Sequence, residues 1–408
     1  MTSGLSRRQL LQGGAWAGLA AALAACGAPS ATPSRTSLAS PSPTSSPASS
    51  SPPPPSASPP PTASSTPAIP LETKIARLLL VGFRGLTIDA AGTTAADIAD
   101  RGLGGVILFS TDQQTGKPRN ITSPKQVTRL VKDLQALAAD RTLLVATDQE
   151  GGKVARLSPA TGFPAVASQA QVGGRSDAVV TAWAESIAAT LASVGINLNL
   201  APVVDLNVNP HNPAIGALGR SFSADPNVVA HDAAIAVDAH RAAGVRTALK
   251  HFPGLGSATT NTDFGVADVT DTWSRTELEP YRTLLAAGKV DSIMVGNLVN
   301  GQVDADAPAS LSKKTVTDLL RDELGWNGLV VTDDLQAAAI THAFGREDAI
   351  RMALEAGDDV LLLANQQTYD PDLVAHTIDS IARLVRAGTV SEARIDESYA
   401  RATAFAGG

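Results

Sequence analysis

The sequence predicts an α/β fold: a (β/α)8 barrel of the TIM type, formed as one domain behind a disordered linker. Eight apolar, β-rich runs recur through residues 71–408, and Ala-rich amphipathic segments separate them. Runs that are hydrophobic throughout are typical of strands buried on both faces, as in a parallel sheet. Eight such units in a segment of this length favour a barrel. An open doubly wound sheet is the alternative, but no GxGxxG fingerprint follows the first run.

The predicted strands are Leu78–Phe83, Gly104–Phe109, Thr142–Thr147, Asn197–Asp205, Arg246–Phe252, Ser292–Leu298, Gly328–Thr332 and Asp359–Ala364. The predicted helices between them include Ser123–Ala139, Asp177–Val194, Asn227–Ala243, Ser312–Leu324 and Arg346–Ala356.

Residues 1–26 are typical of a bacterial lipoprotein signal peptide. Arg7 and Arg8 supply a positive start, and an apolar run over residues 13–25 is too short for a transmembrane helix. The segment Leu23-Ala24-Ala25-Cys26 resembles a lipobox, which predicts lipidation at Cys26. The twin arginine resembles a Tat signal, although Sec export stays open. A buried core helix is the other interpretation, but the chain's one Cys sits where a lipobox requires it.

Residues 27–70 predict a disordered tether. Pro, Ser and Thr make up 33 of these 44 residues, and Arg35 is the one charged residue among them. Such a segment buries too little apolar surface to offset the entropy of folding. Its proline content favours an extended polyproline II conformation, which would hold the following domain away from a membrane.

Composition excludes several classes of protein. The net charge of −7 leaves no basic surface for nucleic acid. One Cys excludes an internal disulfide framework and a Cys-rich metal site, and the six His form no HExxH pair. A P-loop and a GxSxG elbow are absent as well, so the sequence implies no cofactor.

Polar clusters follow the predicted strands at their carboxyl ends, where a barrel carries its active site. The clusters are Asp148-Gln149-Glu150-Gly151-Gly152, Asp205-Leu206-Asn207, Lys250-His251-Phe252-Pro253-Gly254, Asn297 and Asp333-Asp334. Carboxylates that emerge from apolar strands are partly desolvated, which is where perturbed pKa values arise.

Five segments carry a family resemblance that covers most of residues 71–408. In chain order they are Asp148-Gln149-Glu150-Gly151-Gly152-Lys153-Val154-Ala155-Arg156, Ala201-Pro202-Val203-Val204-Asp205, Gly219-Arg220-Ser221-Phe222, Lys250-His251-Phe252-Pro253-Gly254 and Thr332-Asp333-Asp334-Leu335. They resemble the DQEGGxVxR, APVxD, GxRSF, KHFPG and [ST]DDL motifs of bacterial β-N-acetylhexosaminidases in glycoside hydrolase family 3. The resemblance implies a barrel that hydrolyses terminal β-linked N-acetylglucosamine with retention of configuration.

The resemblance also implies residue roles. Asp333 corresponds to the nucleophile, which a retaining glycosidase needs for its covalent intermediate. Its structural alternative is a turn carboxylate that caps the next helix, a role that suits Asp334 better. The family's sugar contacts correspond to Asp148, Arg156, Arg220, Lys250 and His251. A structural ion-pair network is the alternative for these charges, but unpaired charge on a buried strand is unfavourable, which favours substrate contact.

The sequence departs from the family at the general acid/base. The family has a His in an Asp-Ser-His triplet on the loop after KHFPGHG, and that triplet corresponds here to Asn261-Thr262-Asp263. Leu255 replaces the second His of KHFPGHG, and Asn297 stands where many members have His. Three interpretations remain: Asp263 is the acid, the acid is another residue such as Glu150 or Asp268, or the protein hydrolyses poorly or only binds sugar.

The sequence thus predicts an exported glycosidase, lipid-anchored to the outer face of the cytoplasmic membrane through Cys26. We expect a monomer whose substrate is a β-linked amino-sugar oligosaccharide or peptidoglycan fragment. The alternatives are a family 3 enzyme for another β-glycoside, such as a glucoside or xyloside, and a non-catalytic sugar-binding lipoprotein.

Overall fold

The computed structural model describes residues 69–407. The predicted signal peptide, Cys26 and nearly all of the predicted linker lie outside the described residues, so those predictions stay open. Among the helices of residues 69–407, none combines the length and the apolar character needed to cross a membrane.

Eight parallel strands form the barrel, in the spatial order β10-β1-β2-β3-β6-β7-β8-β9. Their bounds, with those of the small hairpin β4–β5, are β1 Leu79–Gly82, β2 Gly105–Ile107, β3 Leu144–Thr147, β4 Gln149–Gly151, β5 Val154–Ala155, β6 Leu198–Asn199, β7 Arg246–Phe252, β8 Ser292–Val295, β9 Leu329–Thr332 and β10 Leu361–Leu363. A bridge between Val331 and Val360 joins β9 to the start of β10, which closes the sheet on itself. The predicted (β/α)8 barrel is therefore confirmed, and the open doubly wound alternative is wrong.

Helices surround the strands. The α-helices are α1 Leu71–Arg77, α2 Thr94–Ala96, α3 Pro124–Leu137, α4 Gln169–Val172, α5 Asp177–Ser193, α6 Pro226–Ala242, α7 Glu279–Ala286, α8 Ala338–Thr341, α9 Arg346–Ala356, α10 Leu373–Arg386 and α11 Glu392–Gly407. Two π-helical segments, Asp97–Arg101 and Lys314–Glu323, and five short 3-10 turns complete the connections. All five helices named from the sequence are present within two residues of their predicted bounds.

Local sequence explains where these helices start and which face they bury. The Ser123 side chain accepts from the backbone N–H of Gln126, and Pro124 occupies the first helical position of α3. The same helix buries Val127, Leu130, Val131 and Leu134, which repeat at the spacing of one helical face. Because the residues of the eight barrel strands are buried except Arg246 at the start of β7, the apolar side chains of strands and helices merge into one continuous core.

The fourth barrel strand is shorter than predicted. The sequence predicts a strand over Asn197–Asp205, but β6 ends at Asn199. Pro202 has no N–H to donate to a neighbouring strand, and beyond it one bridge from Val203 to Lys250 continues the pairing. The chain leaves the sheet early, so Asp205 lies on a loop at the carboxyl end of the barrel.

Candidate active site

The polar clusters predicted at the strand ends meet at one cavity, which has a volume of about 310 Å³. Its lining includes every residue with a predicted role in binding or catalysis: Asp148, Arg156, Arg220, Lys250, His251, Asp263 and Asp333. Apolar side chains from the strands or their ends also line it, namely Ile107, Leu200, Met294 and Leu362. Parallel strands bring their carboxyl ends to one side of a barrel, which is why residues far apart in the chain converge here.

The β4–β5 hairpin positions the first of these residues. Its turn contains Gly151 and Gly152, with φ of 92° and 60°. A Cβ at Gly151 would lie 2.2 Å from the backbone oxygen of Ala167, so this turn requires glycine. The hairpin brings Arg156 back beside Asp148, and Arg156 Nη2 donates to Asp148 Oδ2 over 3.1 Å.

Ion pairs connect these charged side chains along the cavity wall. Lys250 Nζ lies 2.8 Å from Asp148 Oδ1 and 2.8 Å from Glu150 Oε1. Arg220 donates from Nε and Nη2 to the two oxygens of Glu150, each over 2.7 Å. The Lys250 and Glu150 side chains are 3% and 1% exposed. Charges this deeply buried persist because each one has a partner of opposite sign.

Pairing fixes the ionisation of both carboxyls. Burial alone would raise the pKa of Asp148, but Lys250 and Arg156 lower it well below its usual range. Burial also opposes ionisation of Glu150, yet Arg220 and Lys250 lower its pKa to about 2. Glu150 is therefore an anion at neutral pH and has no proton to give. The pairing of Glu150 with Arg220 and Lys250 argues against the interpretation in which Glu150 supplies the general acid.

The structure shows the ion-pair network that the sequence left as the alternative for these charges, and substrate contact stays a prediction. Only the premise is wrong that Lys250 carries unpaired charge on a buried strand. The structure supplies partners for Lys250 and Arg220 while both side chains still line the cavity. The network therefore holds the cations in fixed positions, and a sugar in the cavity would meet groups that are already oriented.

Asp205 fixes the ring of His251. Asp205 Oδ2 lies 2.7 Å from His251 Nδ1, and the same carboxylate accepts from the backbone N–H groups of His251 and Leu255. Arg220 Nη2 lies 3.4 Å from the other ring nitrogen, Nε2. Because Nδ1 is hydrogen-bonded to the Asp205 carboxylate, Nε2 is the ring nitrogen that faces Arg220 and the cavity.

Asp333 follows the last residue of β9 and is half-buried at the cavity. Its Oδ1 accepts from the backbone N–H of Asp334 over 2.8 Å. Asp334 has a different environment, because its Oδ1 accepts from the backbone N–H groups of Gln336 and Ala364. Burial, with the negative charges of Asp333 and Asp263, raises the pKa of Asp334 to about 7. Asp334 thus organises the turn, while Asp333 keeps its second oxygen Oδ2 for other contacts.

Asp263 lies on the loop after β7 and lines the same cavity. Asp263 is exposed as a residue. Partial desolvation of its carboxyl by the surrounding site raises the pKa of Asp263, and the negative charge of Asp333 raises it further. Asp268, the other loop acid considered from the sequence, accepts from the backbone N–H of Thr270 and is not among the cavity residues. The geometry therefore favours Asp263 as the proton donor.

The sequence marked Asn297 at a strand end without giving it a role, and it did not mark two residues that line the cavity. Asn297 is fully buried, donates to the backbone oxygen of Asp334 over 2.7 Å and accepts from Ser310, so it braces the segment beside Asp333. Gln367 and the 75% exposed Phe264 also line the cavity, and no motif marks either one. Within the described residues, no group of three or more His, Cys, Asp or Glu side chains could hold a metal ion.

Comparisons with known proteins give a family match and several similar relatives. The chain matches the model of the Glycosyl hydrolase family 3 N terminal domain over residues 70–404. It is 35% identical over 315 residues to a β-hexosaminidase of Xylella fastidiosa (strain M23), covering 75% of this chain and 87% of that protein. It is 34% identical over 322 residues to β-hexosaminidase A of Pseudoalteromonas piscicida, covering 73% of this chain but only 52% of that protein.

A solved structure shares the fold across nearly its whole length. The β-N-acetylhexosaminidase of Beutenbergia cavernae DSM 12333 superposes with a TM-score of 0.75 at 33% sequence identity. The match covers 84% of this chain and 99% of that one. The chain therefore belongs to glycosyl hydrolase family 3.

Proposed function

We propose that this protein is a retaining, exo-acting β-N-acetylhexosaminidase that removes terminal β-linked N-acetylglucosamine from cell-wall-type glycans. One observation carries the proposal: Asp333 faces the same cavity as a paired set of cations and carboxylates that can bind sugar hydroxyls. Relatives named as β-hexosaminidases support the choice of sugar. A cavity of this size suits one terminal sugar better than the interior of a chain.

The proposed reaction has two steps. In the first, an Asp333 oxygen attacks C1 of the terminal sugar, the C1–O bond to the aglycone breaks, and the leaving oxygen takes the proton of Asp263. In the second, water attacks C1 and gives a proton back to Asp263, while the C1–Asp333 ester bond breaks and its electron pair returns to Asp333. The raised pKa of Asp263 supports this role, because an acid must keep its proton until the leaving oxygen needs it.

We also propose that the enzyme works outside the cytoplasmic membrane, anchored by lipid at Cys26 and held off the surface by residues 27–70. The support is the sequence pattern of those residues. Peptidoglycan fragments are the glycans that such a position would offer.

The direct test is a panel of aryl β-glycosides of N-acetylglucosamine, glucose and xylose, incubated with the domain that begins at residue 69. We expect turnover of the N-acetylglucosaminide to exceed that of the others. A 2-fluoro-sugar probe should leave an adduct on the peptide that contains Asp333. Preference for glucoside or xyloside would replace the proposed substrate, and sugar binding without any turnover would establish a binding protein instead.

A further inference from the structure

A side chain from the segment after β10 contacts the loop that carries Asp263. Gln367 Nε2 donates to the backbone oxygen of Asp263 over 2.8 Å. Two contacts at this position are local, since the N–H of Asp263 donates to Asn261 Oδ1 and the N–H of Phe264 donates to the Asn261 backbone oxygen. A backbone hydrogen bond from the N–H of Ala339 to the oxygen of Thr262, over 3.1 Å, also holds the loop beside the segment that follows Asp333. The Gln367 contact therefore links the loop to a different part of the barrel.

The segment that carries Gln367 is firmly held. Asn365, which has a φ of 55°, bonds from its side chain to the backbone N–H and oxygen of Asp370. The buried guanidinium of Arg119 donates to the backbone oxygen of Asn365 over 2.8 Å. Gln114 Nε2 donates to the backbone oxygen of Gln367 over 2.8 Å. Such closely braced turns move little, so Gln367 offers a fixed anchor.

The same anchor is connected to the nucleophile side of the cavity. Gln336 Oε1 accepts from the backbone N–H of Asn365 over 2.7 Å, and Asp334 Oδ1 accepts from that of Ala364. Asp334 is the residue after Asp333. The Asp333 turn, the segment after β10 and the Asp263 loop therefore form one hydrogen-bonded series.

We propose that Gln367 is a positioning residue that holds the Asp263 loop over the cavity, so that the acid stands at a fixed place relative to Asp333. This inference rests on the proposed hydrolase function. Gln367 acts through the backbone of Asp263 and takes no part in proton transfer. A hydrogen bond of this kind shifts a loop equilibrium by roughly two- to tenfold.

Gln367→Met tests the inference, because Met is close to Gln in size and lacks the N–H donor. We expect kcat on a poor-leaving-group N-acetylglucosaminide to fall roughly three- to tenfold, with less than about a twofold loss on the dinitrophenyl glycoside. A good leaving group needs little help from the acid, so the difference isolates Asp263. Gln113→Met is the matched control, since Gln113 lines the same cavity from the loop after β2, and it should keep the wild-type ratio between the two substrates.

Two outcomes would overturn the inference. An equal loss of kcat on both substrates would indicate a general structural role. A raised KM with unchanged kcat would indicate that Gln367 touches the sugar directly. In the background of Asp263→Asn, Gln367→Met should add almost nothing, because a residue that acts through Asp263 has no effect once the acid is gone.

Proteolysis gives a readout that does not depend on activity. The bond after the exposed Phe264 is a chymotrypsin site on this loop. We expect Gln367→Met to increase the cleavage rate there two- to tenfold over wild type and Gln113→Met, with the site located by peptide mass. Equal rates would overturn the inference. Absence of turnover in the wild type would overturn the proposed function alone, since the cleavage rates would still decide whether Gln367 holds the loop.

Discussion

The two ends of the barrel bury similar charges for different purposes. At the amino end, Asp359 precedes β10 and is fully buried, and its oxygens accept from Arg321, Arg394 and Arg401 as well as from Ser398 and a backbone N–H. At the carboxyl end, Glu150 and Asp148 pair with Arg220, Lys250 and Arg156, and these groups also line a cavity.

The two clusters differ in whether their paired charges still have hydrogen-bonding groups available to a ligand. Five donors converge on Asp359, and the residues of this cluster that are named above do not line the cavity at the mouth. The network at the mouth leaves donors and acceptors beside an open space. A buried ion pair is therefore weak grounds for assigning function unless a cavity accompanies it. In barrels, the amino end serves stability and the carboxyl end serves chemistry, and these two clusters follow that division.

The largest expected effect on kcat is that of Asp333→Asn, at the cavity on the carboxyl end of the barrel. The substitution keeps the Oδ1 acceptor for the Asp334 N–H and removes the charged nucleophile. We expect kcat to fall on the order of 10⁴-fold, with an unfolding temperature within a few degrees of wild type. Steady-state kinetics and thermal unfolding measure the two effects. Activity within tenfold of wild type would show that Asp333 is not the nucleophile.

Asp263→Asn should have the next largest effect on activity, and the size of this effect should depend on the leaving group of the substrate. With a poor leaving group we expect a loss of roughly 10²- to 10⁴-fold, and with an activated one a much smaller loss. Because the acid works in its protonated form, wild-type activity on the poor substrate should fall as pH rises through the raised pKa of Asp263. In Asp263→Asn this decrease in activity at high pH should be absent, which pH profiles of the wild type and the variant would show. Equal losses on both substrates would reject Asp263 as the acid.

Asp359→Asn should lower the free energy of unfolding and leave kcat unchanged. Asp333→Asn should have the reverse pattern, with a large loss of kcat and little change in stability. Loss of the negative charge leaves Arg321, Arg394 and Arg401 without their shared partner in the interior. We expect a destabilisation of about 3 kcal/mol in urea unfolding, with kcat unchanged below the transition.

The matched control for Asp359→Asn is Asp396→Asn at the surface. Asp396 is half exposed and pairs with Lys74 over 2.6 Å. A surface pair of this kind contributes under about 1 kcal/mol, so the control should unfold close to wild type. If Asp359→Asn instead lowered kcat while stability stayed the same, the contrast between the two ends of the barrel would fail.

Much of the fold follows from local sequence. Eight continuous apolar runs predict eight strands, and all eight are present, because a strand buried on both faces has few polar positions. The fourth predicted strand is too long, because the apolar run continues through Pro202 while regular strand pairing ends at Asn199. The short helices and the β4–β5 hairpin were not predicted, because a few residues carry too little periodicity to identify.

The sequence predicted which residues form the site, but it did not predict how their side chains pair. The strand-end clusters predicted Asp148 and Lys250, the family resemblance added Arg220, and all three line the cavity. Their pairing was not foreseen, since Glu150 and Arg220 lie 70 residues apart and no local signal connects them. Gln367 was missed for a related reason: a glutamine in a loop looks solvated until its partner, 104 residues away, is known.

The smallest expected effect concerns Glu277, which lies beneath the mouth. It accepts from the backbone N–H of Gly256, and burial together with the negative charge of Asp205 raises its pKa to about 8, although hydrogen bonds with Gly256 and Ser257 oppose the shift. In the unfolded chain this carboxyl loses its proton near pH 4.5, while the folded protein keeps it to about pH 8. Its ionisation therefore makes stability fall as pH rises across that window.

Glu277→Gln removes the titration and keeps an oxygen for Gly256. Between pH 6 and pH 7, we expect the wild type to lose up to about 1.4 kcal/mol more stability than the variant, as one proton differs between the folded and unfolded states. Urea unfolding at the two pH values measures the difference. Asp358 at the amino end is a second buried carboxyl, and burial raises its pKa as well. A parallel pH slope in both proteins would show that Glu277 is already ionised in the folded state, and the pH response would then belong to other buried carboxyls such as Asp334 and Asp358.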